Sequence, residues 1–351
     1  MPIIEKIKKL FSENRPLALL ITAALILFLV FIFSLIFGKK DQGDNTNDNY
    51  LIETPLPTGV DHDVTIDSVL YKKKEFPDEL KVYKIVSSNE SSNVEAFLLK
   101  LGLSGFTKSS VQSLLYTWTK GNSLVEYVPN DQSVTFVFEE GVVTGLNTQF
   151  DTSESAQAFM SRFYNQFLQK DYKFTNGKIT KEGNRIRVEA SRMIDNYPLY
   201  LANHNSYTDY LVVDINGNLY KGVSVLIDYD REKADTIKLV DVSNLQSLLG
   251  TDTYPKEVFQ GVSEALIKAI GESGQKLDAA DSLSDIPIAK LSTAKSLSLV
   301  YYYSNTSFKQ IVPAYRLEAE GKILYNSKEI TVPLTIFTNA LDPSRVYIPN
   351  E

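Results

Sequence analysis

The sequence predicts an α+β fold: an N-terminal transmembrane helix followed by repeated helix-plus-antiparallel-sheet units. Three observations predict it. Residues 17–38 form a run of 22 without a charge. Two later stretches each join a capped amphipathic helix to a strand meander. The last third alternates aromatic and β-branched runs with turn residues.

Taken in order, Leu17 to Gly38 (LALLITAALILFLVFIFSLIFG) would span about 33 Å as a helix, close to the ~30 Å core of a bilayer. A cleaved leader has a shorter apolar region and a small-x-small site, whereas this run ends in Phe37-Gly38-Lys39-Lys40. Residues 1–16 carry Lys6, Lys8, Lys9 and Arg15 against Glu5 and Glu13. That bias puts the N-terminus in the cytoplasm and the remainder outside a cell membrane, as a single-pass protein. Residues 3–12 place Ile3, Ile4, Ile7, Leu10 and Phe11 on one helical face, which suits either an inner-leaflet helix or a plain basic flank. Residues 39–62 are polar, with Gly43, Pro55 and Pro57, and serve as a linker.

The first outer unit is expected over 63–150. Ser92-x-x-Glu95 has capping-box spacing, Val94, Phe97, Leu98 and Leu101 make the apolar stripe, and Gly102 ends the helix. Strands are expected over 113–120, 123–128 and 134–139. The second unit, 151–242, opens with Asp151-x-x-Glu154, followed by the stripe Ala156, Phe159, Met160, Phe163, Phe167 and Leu168. Strands are expected over 184–194, 207–215 and 219–229, with Asn216-Gly217 as a hairpin turn. The C-terminal unit, 243–351, begins with a helix over 243–249. Val258, Phe259, Val262, Leu266 and Ile270 suggest another helix, ended by Gly271. A loop is expected over 274–287, strands over 295–304, 308–319 and 328–337, and a tail from 339.

Composition removes much of enzyme chemistry. Cysteine is absent, and the two histidines, His62 and His204, lie far apart in the chain. That excludes disulfides, thiol nucleophiles and Cys-ligated zinc. The net charge is −7; residues 1–40 carry +4, so the rest carries −11. So acidic a domain gains nothing from phosphate backbones, and no nucleic-acid partner is expected. The absence of Cys in a domain placed outside the cell suits a bacterium that does not rely on disulfides there.

Candidate constellations are few. Asp61-His62-Asp63, with Asp67, is too small a donor set to choose a metal and reads as the end of the linker. Asp214-Ile215-Asn216-Gly217-Asn218 echoes a calcium loop, but its glycine is misplaced and it reads as a hairpin turn. Asp278, Asp281 and Asp285 share a polar loop that reads as solvated. Ser292-Thr293-Ala294-Lys295 matches S-x-x-K without the companion motifs that chemistry needs. Glu139-Glu140 and Asp228 with Asp230 end strands; as a glycosidase pair they would have to meet in a cleft. No catalytic residue, no cofactor and no metal is therefore expected. The aromatics are numerous, with 20 Tyr and 18 Phe. Tyr197, Tyr200, Tyr207 and Tyr210 cluster around Pro198, and Tyr301-Tyr302-Tyr303 must alternate faces in a strand. Tyr302 is expected to face outward. With Tyr315 on the neighbouring strand, it would form a partner-binding surface.

Two segments carry a family resemblance. SESAQAFMSRFYNQF has the small-x-x-x-aromatic spacing that PepSY-like modules use to pack a helix on an antiparallel sheet. SLSLVYYYSNTSFKQIVPAYRLEAEGK resembles the last hairpin of the YycH/YycI regulators, with a Tyr-rich strand leading to a VPAYRL-like strand. The pattern extends over residues 90–340. The resemblance implies a non-enzymatic, membrane-anchored regulator that contacts another membrane or envelope protein, with no catalytic residues to carry over. A cell-envelope enzyme using Asp/Glu chemistry and a passive scaffold subunit are the alternative readings.

Overall fold

In chain order the elements of the computed structural model are β1 (Ile52–Glu53), β2 (Asp63–Ile66), α1 (Ser68–Tyr71), β3 (Glu79–Lys84), α2 (Glu90–Lys100), β4 (Thr107–Val111), β5 (Leu115–Lys120), β6 (Ser123–Val128) and β7 (Ser133–Val143). Then come α3 (Ser153–Phe163), a π-helical turn (Tyr164–Leu168), β8 (Phe174–Glu182), β9 (Arg185–Ile194), β10 (Tyr197–Leu201), β11 (Asp209–Asp214), β12 (Asn218–Val225) and β13 (Asp235–Lys238). The chain ends with α4 (Val242–Leu249), β14 (Lys256–Gln260), α5 (Glu264–Glu272), β15 (Leu291–Tyr303), β16 (Gln310–Tyr325), β17 (Lys328–Asn339) and β18 (Val346–Tyr347). The structure describes residues 52–53, 56, 60–71, 76–86, 90–111, 114–129, 132–201, 209–251, 254–273, 286–303 and 310–347.

Strands dominate. Sixteen of them join in one mostly antiparallel sheet, whose main path runs β13-β3-β16-β15-β10-β9-β11-β12-β7-β6-β5-β4. This corrects the α+β expectation of repeated helix-plus-sheet units. The physical reason lies at the join between β12 and β7, which pair antiparallel from Asn218↔Val143 to Val225↔Ser133. The two expected meanders are thereby one surface, and α2 and α3 share its cover. Phe97 of α2 packs edge-on to Phe163 of α3 at 6.2 Å, and both rings lie against Phe136 of β7. Gly222 of β12 makes this possible: a Cβ there would lie 2.4 Å from the Phe136 ring.

The membrane expectation is corrected as well. Among the described residues no helix is long and apolar enough to cross a membrane. The expected span 17–38, the segment 1–16 and residues 39–51 lie outside the described residues.

Local signals fared better. All four residues of the α2 stripe are buried, and Gly102 terminates the helix at φ +72°. The helix begins at Glu90, ahead of the expected cap at Ser92. The cap of α3 is Thr152, one residue on from Asp151. Its hydroxyl accepts from the Ser155 amide at 3.2 Å, and the Ser155 hydroxyl closes the box by accepting from the Thr152 amide at 3.1 Å. Asp241, not Ser243, caps α4. Val258 and Phe259 belong to β14, not to a helix. The chain breaks at Gly261, and Ser263 caps α5 by accepting from the Leu266 amide. β2, β3, β4, β8, β10 and β13 lie outside the expected strands.

Three apolar cores result. One lies under α2 and α3 and is built on β5–β9, β11 and β12. A second packs α4 and α5 on β15–β17, with β2 at their side. A smaller third joins them through Tyr83, Ile194, Leu199, Tyr301 and Tyr303. The bridge between the two large cores is β10, antiparallel to β9 and parallel to β15.

Candidate functional site

A cleft of about 1060 Å³ opens beside α4. Three distant segments build it. Pro77, Asp78 and Glu79 lead into β3. The second segment runs from Lys238 through the first turn of α4. Asp342 and Pro343 supply the last wall. Backbone bonds lock the three together: the Leu239 amide donates to Asp78 O at 2.8 Å, Val240 to Ala340 O at 2.8 Å, and Asp342 to Lys238 O at 3.2 Å.

Tyr315 of β16 forms the floor. It is 1% exposed, its hydroxyl donates to Val240 O at 2.7 Å, and Phe76 stands edge-on to its ring at 5.6 Å. Burial, with the Asp241 charge nearby, pushes its phenol well above the usual tyrosine range. Asp241 is fixed by its capping role: one carboxylate oxygen accepts from both the amide and the hydroxyl of Ser243 at 2.7 Å. Those bonds hold its carboxyl below the usual range, so it is an anion near neutrality. Asp342 accepts from the amide and hydroxyl of Ser344 at 2.9 and 2.8 Å. With Asp78 and Glu79, four carboxylates line the cleft against one ammonium, Lys238.

The sequence-derived candidates do not gather here, with one exception. Tyr315 is part of the cleft, as floor and not as exposed surface. Tyr302 is 0% exposed, which corrects the expectation that its ring faces outward. Its face of β15 is as buried as that of Tyr301 and Tyr303. Its hydroxyl donates to Glu257, and its ring packs on Phe337 at 5.3 Å. Tyr197 packs on Tyr301, Tyr200 on Phe337, and Tyr210 lies under Arg187; Tyr207 is outside the described residues.

Ser292 and Lys295 point to different faces of β15. Ser292 is buried against His62, while Lys295 pairs with Glu320 at 3.4 Å on the surface. Three residues along a strand reverse the side chain, so S-x-x-K works only on a helix. His62 is 2% exposed, with Nδ1 2.7 Å from Ala289 O and Nε2 2.8 Å from Ser292 Oγ. Both ring nitrogens are thus engaged, and Asp61 turns away to Lys290 at 2.6 Å. Asp214 closes its own hairpin by accepting from the Asn216 and Asn218 amides, and Gly217 takes the left-handed turn at φ +80°. Asp228 pairs with Lys170, Asp230 accepts from the Glu232 and Lys233 amides, and Glu139 accepts from Asn122. Asp278, Asp281 and Asp285 lie outside the described residues. Among the described residues no group of three or more acidic or histidine side chains could hold a metal ion.

Sequence reasoning missed Asp78, Glu79, Lys238 and Asp342. Their segments are more than 90 residues apart, and no local pattern marks them. Asp241 alone left a signal, as a capping residue before Val242.

No family model matches the chain, and no curated protein does. Solved structures similar to it include two. An uncharacterized protein from Eubacterium rectale gives a TM-score of 0.46 at 12% identity, over 82% of this chain and 91% of that one. The Bacillus megaterium YpeB C-terminal domain gives 0.26 at 11% identity, over 73% of this chain and 99% of its own. No family model and no curated protein supports the resemblance to the YycH/YycI regulators. At these scores neither neighbour carries a functional argument.

Proposed function

We propose that this chain is a non-enzymatic binding or regulatory protein that holds a cationic segment of a partner protein in the cleft beside α4. One observation carries the reading: an open cleft of about 1060 Å³ with four carboxylates, one ammonium and an aromatic floor. A Lys or Arg side chain can lay its methylene stem on Phe76 while its charge meets the rim. The ionised state of Asp241 favours binding over acid catalysis, since a general acid needs a raised pKa, not a lowered one. The YycH/YycI-like pattern of the sequence fits a regulator of this kind.

The test is a titration of the full chain with a fluorescent Lys/Arg-rich peptide and an Asp/Glu-rich one of equal length. The basic peptide is expected to bind with an affinity that falls as salt rises. The double variant Asp78→Asn/Glu79→Gln removes two exposed charges that no cap depends on, and should weaken binding several-fold. Equal binding of both peptides, or an unaffected variant, would reject the cleft as the site.

A further inference from the structure

His62 stands immediately before β2, the first strand of the large sheet in chain order. β2 runs parallel to β15 in the register Asp63↔Leu291 to Ile66↔Ala294. The imidazole crosses this seam from inside. A carbonyl oxygen only accepts, so the 2.7 Å contact with Ala289 O puts the ring proton on Nδ1. Nε2 then presents its lone pair, and the Ser292 hydroxyl donates to it at 2.8 Å. The acceptor side is held in turn: Gln260, at the end of β14, donates to Pro287 O at 3.0 Å and accepts from the Ala289 amide at 2.9 Å.

We infer that His62 is a proton-operated latch between β2 and β15: neutral, it closes the seam; protonated, it releases it. A second proton must sit on Nε2, where the Ser292 hydroxyl hydrogen already points. The hydroxyl has to turn round, and a cation is left 2% exposed with no anion bonded to it. The charged groups around it are mixed. Asp61 and Asp63, in its own segment, favour the cation. Lys256 of β14 opposes it, and Lys290, before β15, is spent on Asp61. Burial, with Lys256, outweighs the Ala289 carbonyl bond and the aspartates and keeps the ring's pKa below the usual imidazole value. The sign follows. The folded state binds its proton at lower pH than the unfolded chain does. The stability contributed by neutral His62 is therefore full above about pH 6.5 and is lost as pH falls through the folded pKa.

The experiment is amide hydrogen exchange on the full chain at about pH 7.5 and about pH 5, corrected for intrinsic rates. Protection of 63–66 and 291–294 should fall by roughly tenfold or more at the lower pH. Protection of 186–190, in β9, should not change. In His62→Gln the pH effect on the seam should vanish. If that variant does not fold, NMR titration of the His62 ring in the native chain replaces it, and the seam should open with the midpoint of that ring. A seam that stays protected while the ring titrates, or a variant that keeps the pH effect, would overturn the latch.

Discussion

The sheet is buried in two different ways along its length. Under α2 and α3 it has mostly one wet face and one dry one, β11 apart, where Leu211 to Asp214 are all buried. Ile186, Val188 and Ala190 of β9 point into the core, while Arg185 and Arg187 lie outside, stacked on Tyr220 and Tyr210 at 4.2 Å each. In the C-terminal region β15 and β16 are buried on both faces where they meet: Leu299 to Tyr303 and Gln310 to Tyr315 are all buried without a break. Farther along the same hairpin, alternation returns, with Ala319, Gly321 and Ile323 in and Glu320, Lys322 and Leu324 out. A strand with one dry face shows its orientation in sequence, and a strand with two does not.

A large effect is expected in each region. In the first, Arg192 and Asp209 form an ion pair that is almost completely buried, at 3.2 Å. Asp209 also accepts from the Val225 amide at 3.1 Å and from the Tyr164 hydroxyl, so it ties β9, β11, β12 and the π-helical turn together. Asp209→Ala leaves a buried guanidinium without its counter-charge and should cost about 3–5 kcal/mol in urea unfolding. A loss below about 1 kcal/mol would show that water reaches the pair.

Tyr302→Ala probes the doubly buried strand and should cost about 3–5 kcal/mol, as large-to-small core changes do. An unchanged melting temperature would mean that the face of Tyr302 is open after all. Gly222→Ala comes next, because its new methyl would collide with Phe136 and with Leu211. About 1–3 kcal/mol of destabilisation is expected by calorimetry. A neutral result would mean that β7 and β12 are not held as closely as one continuous sheet requires.

The legibility of the sequence follows the same division. The stripes of α2 and α3 and the Asn216-Gly217 turn are local patterns, and each was placed correctly. The Tyr301–Tyr303 strand is legible and its alternation is real, yet its burial is not, because alternation between two buried faces looks like alternation between core and solvent. The pairing of β7 with β12 joins Val142 to Leu219 across the whole α3 unit, and neither segment advertises the other. That long-range pairing turned two expected units into one sheet. The cleft was hidden for the same reason: Asp78, Asp241 and Asp342 become neighbours only after the C-terminal region has folded.

The claim that the cleft beside α4, and not the helix-covered region, holds the cationic partner is tested most directly by site-specific photocrosslinking. A photoreactive residue would replace Asn244 at the cleft in one preparation and Lys178 on β8 in another, each mixed with the Lys/Arg-rich peptide. A crosslink from position 244, suppressed by salt, and none from position 178 is the expected result. Equal labelling at both positions, or labelling at 178 alone, would contradict it.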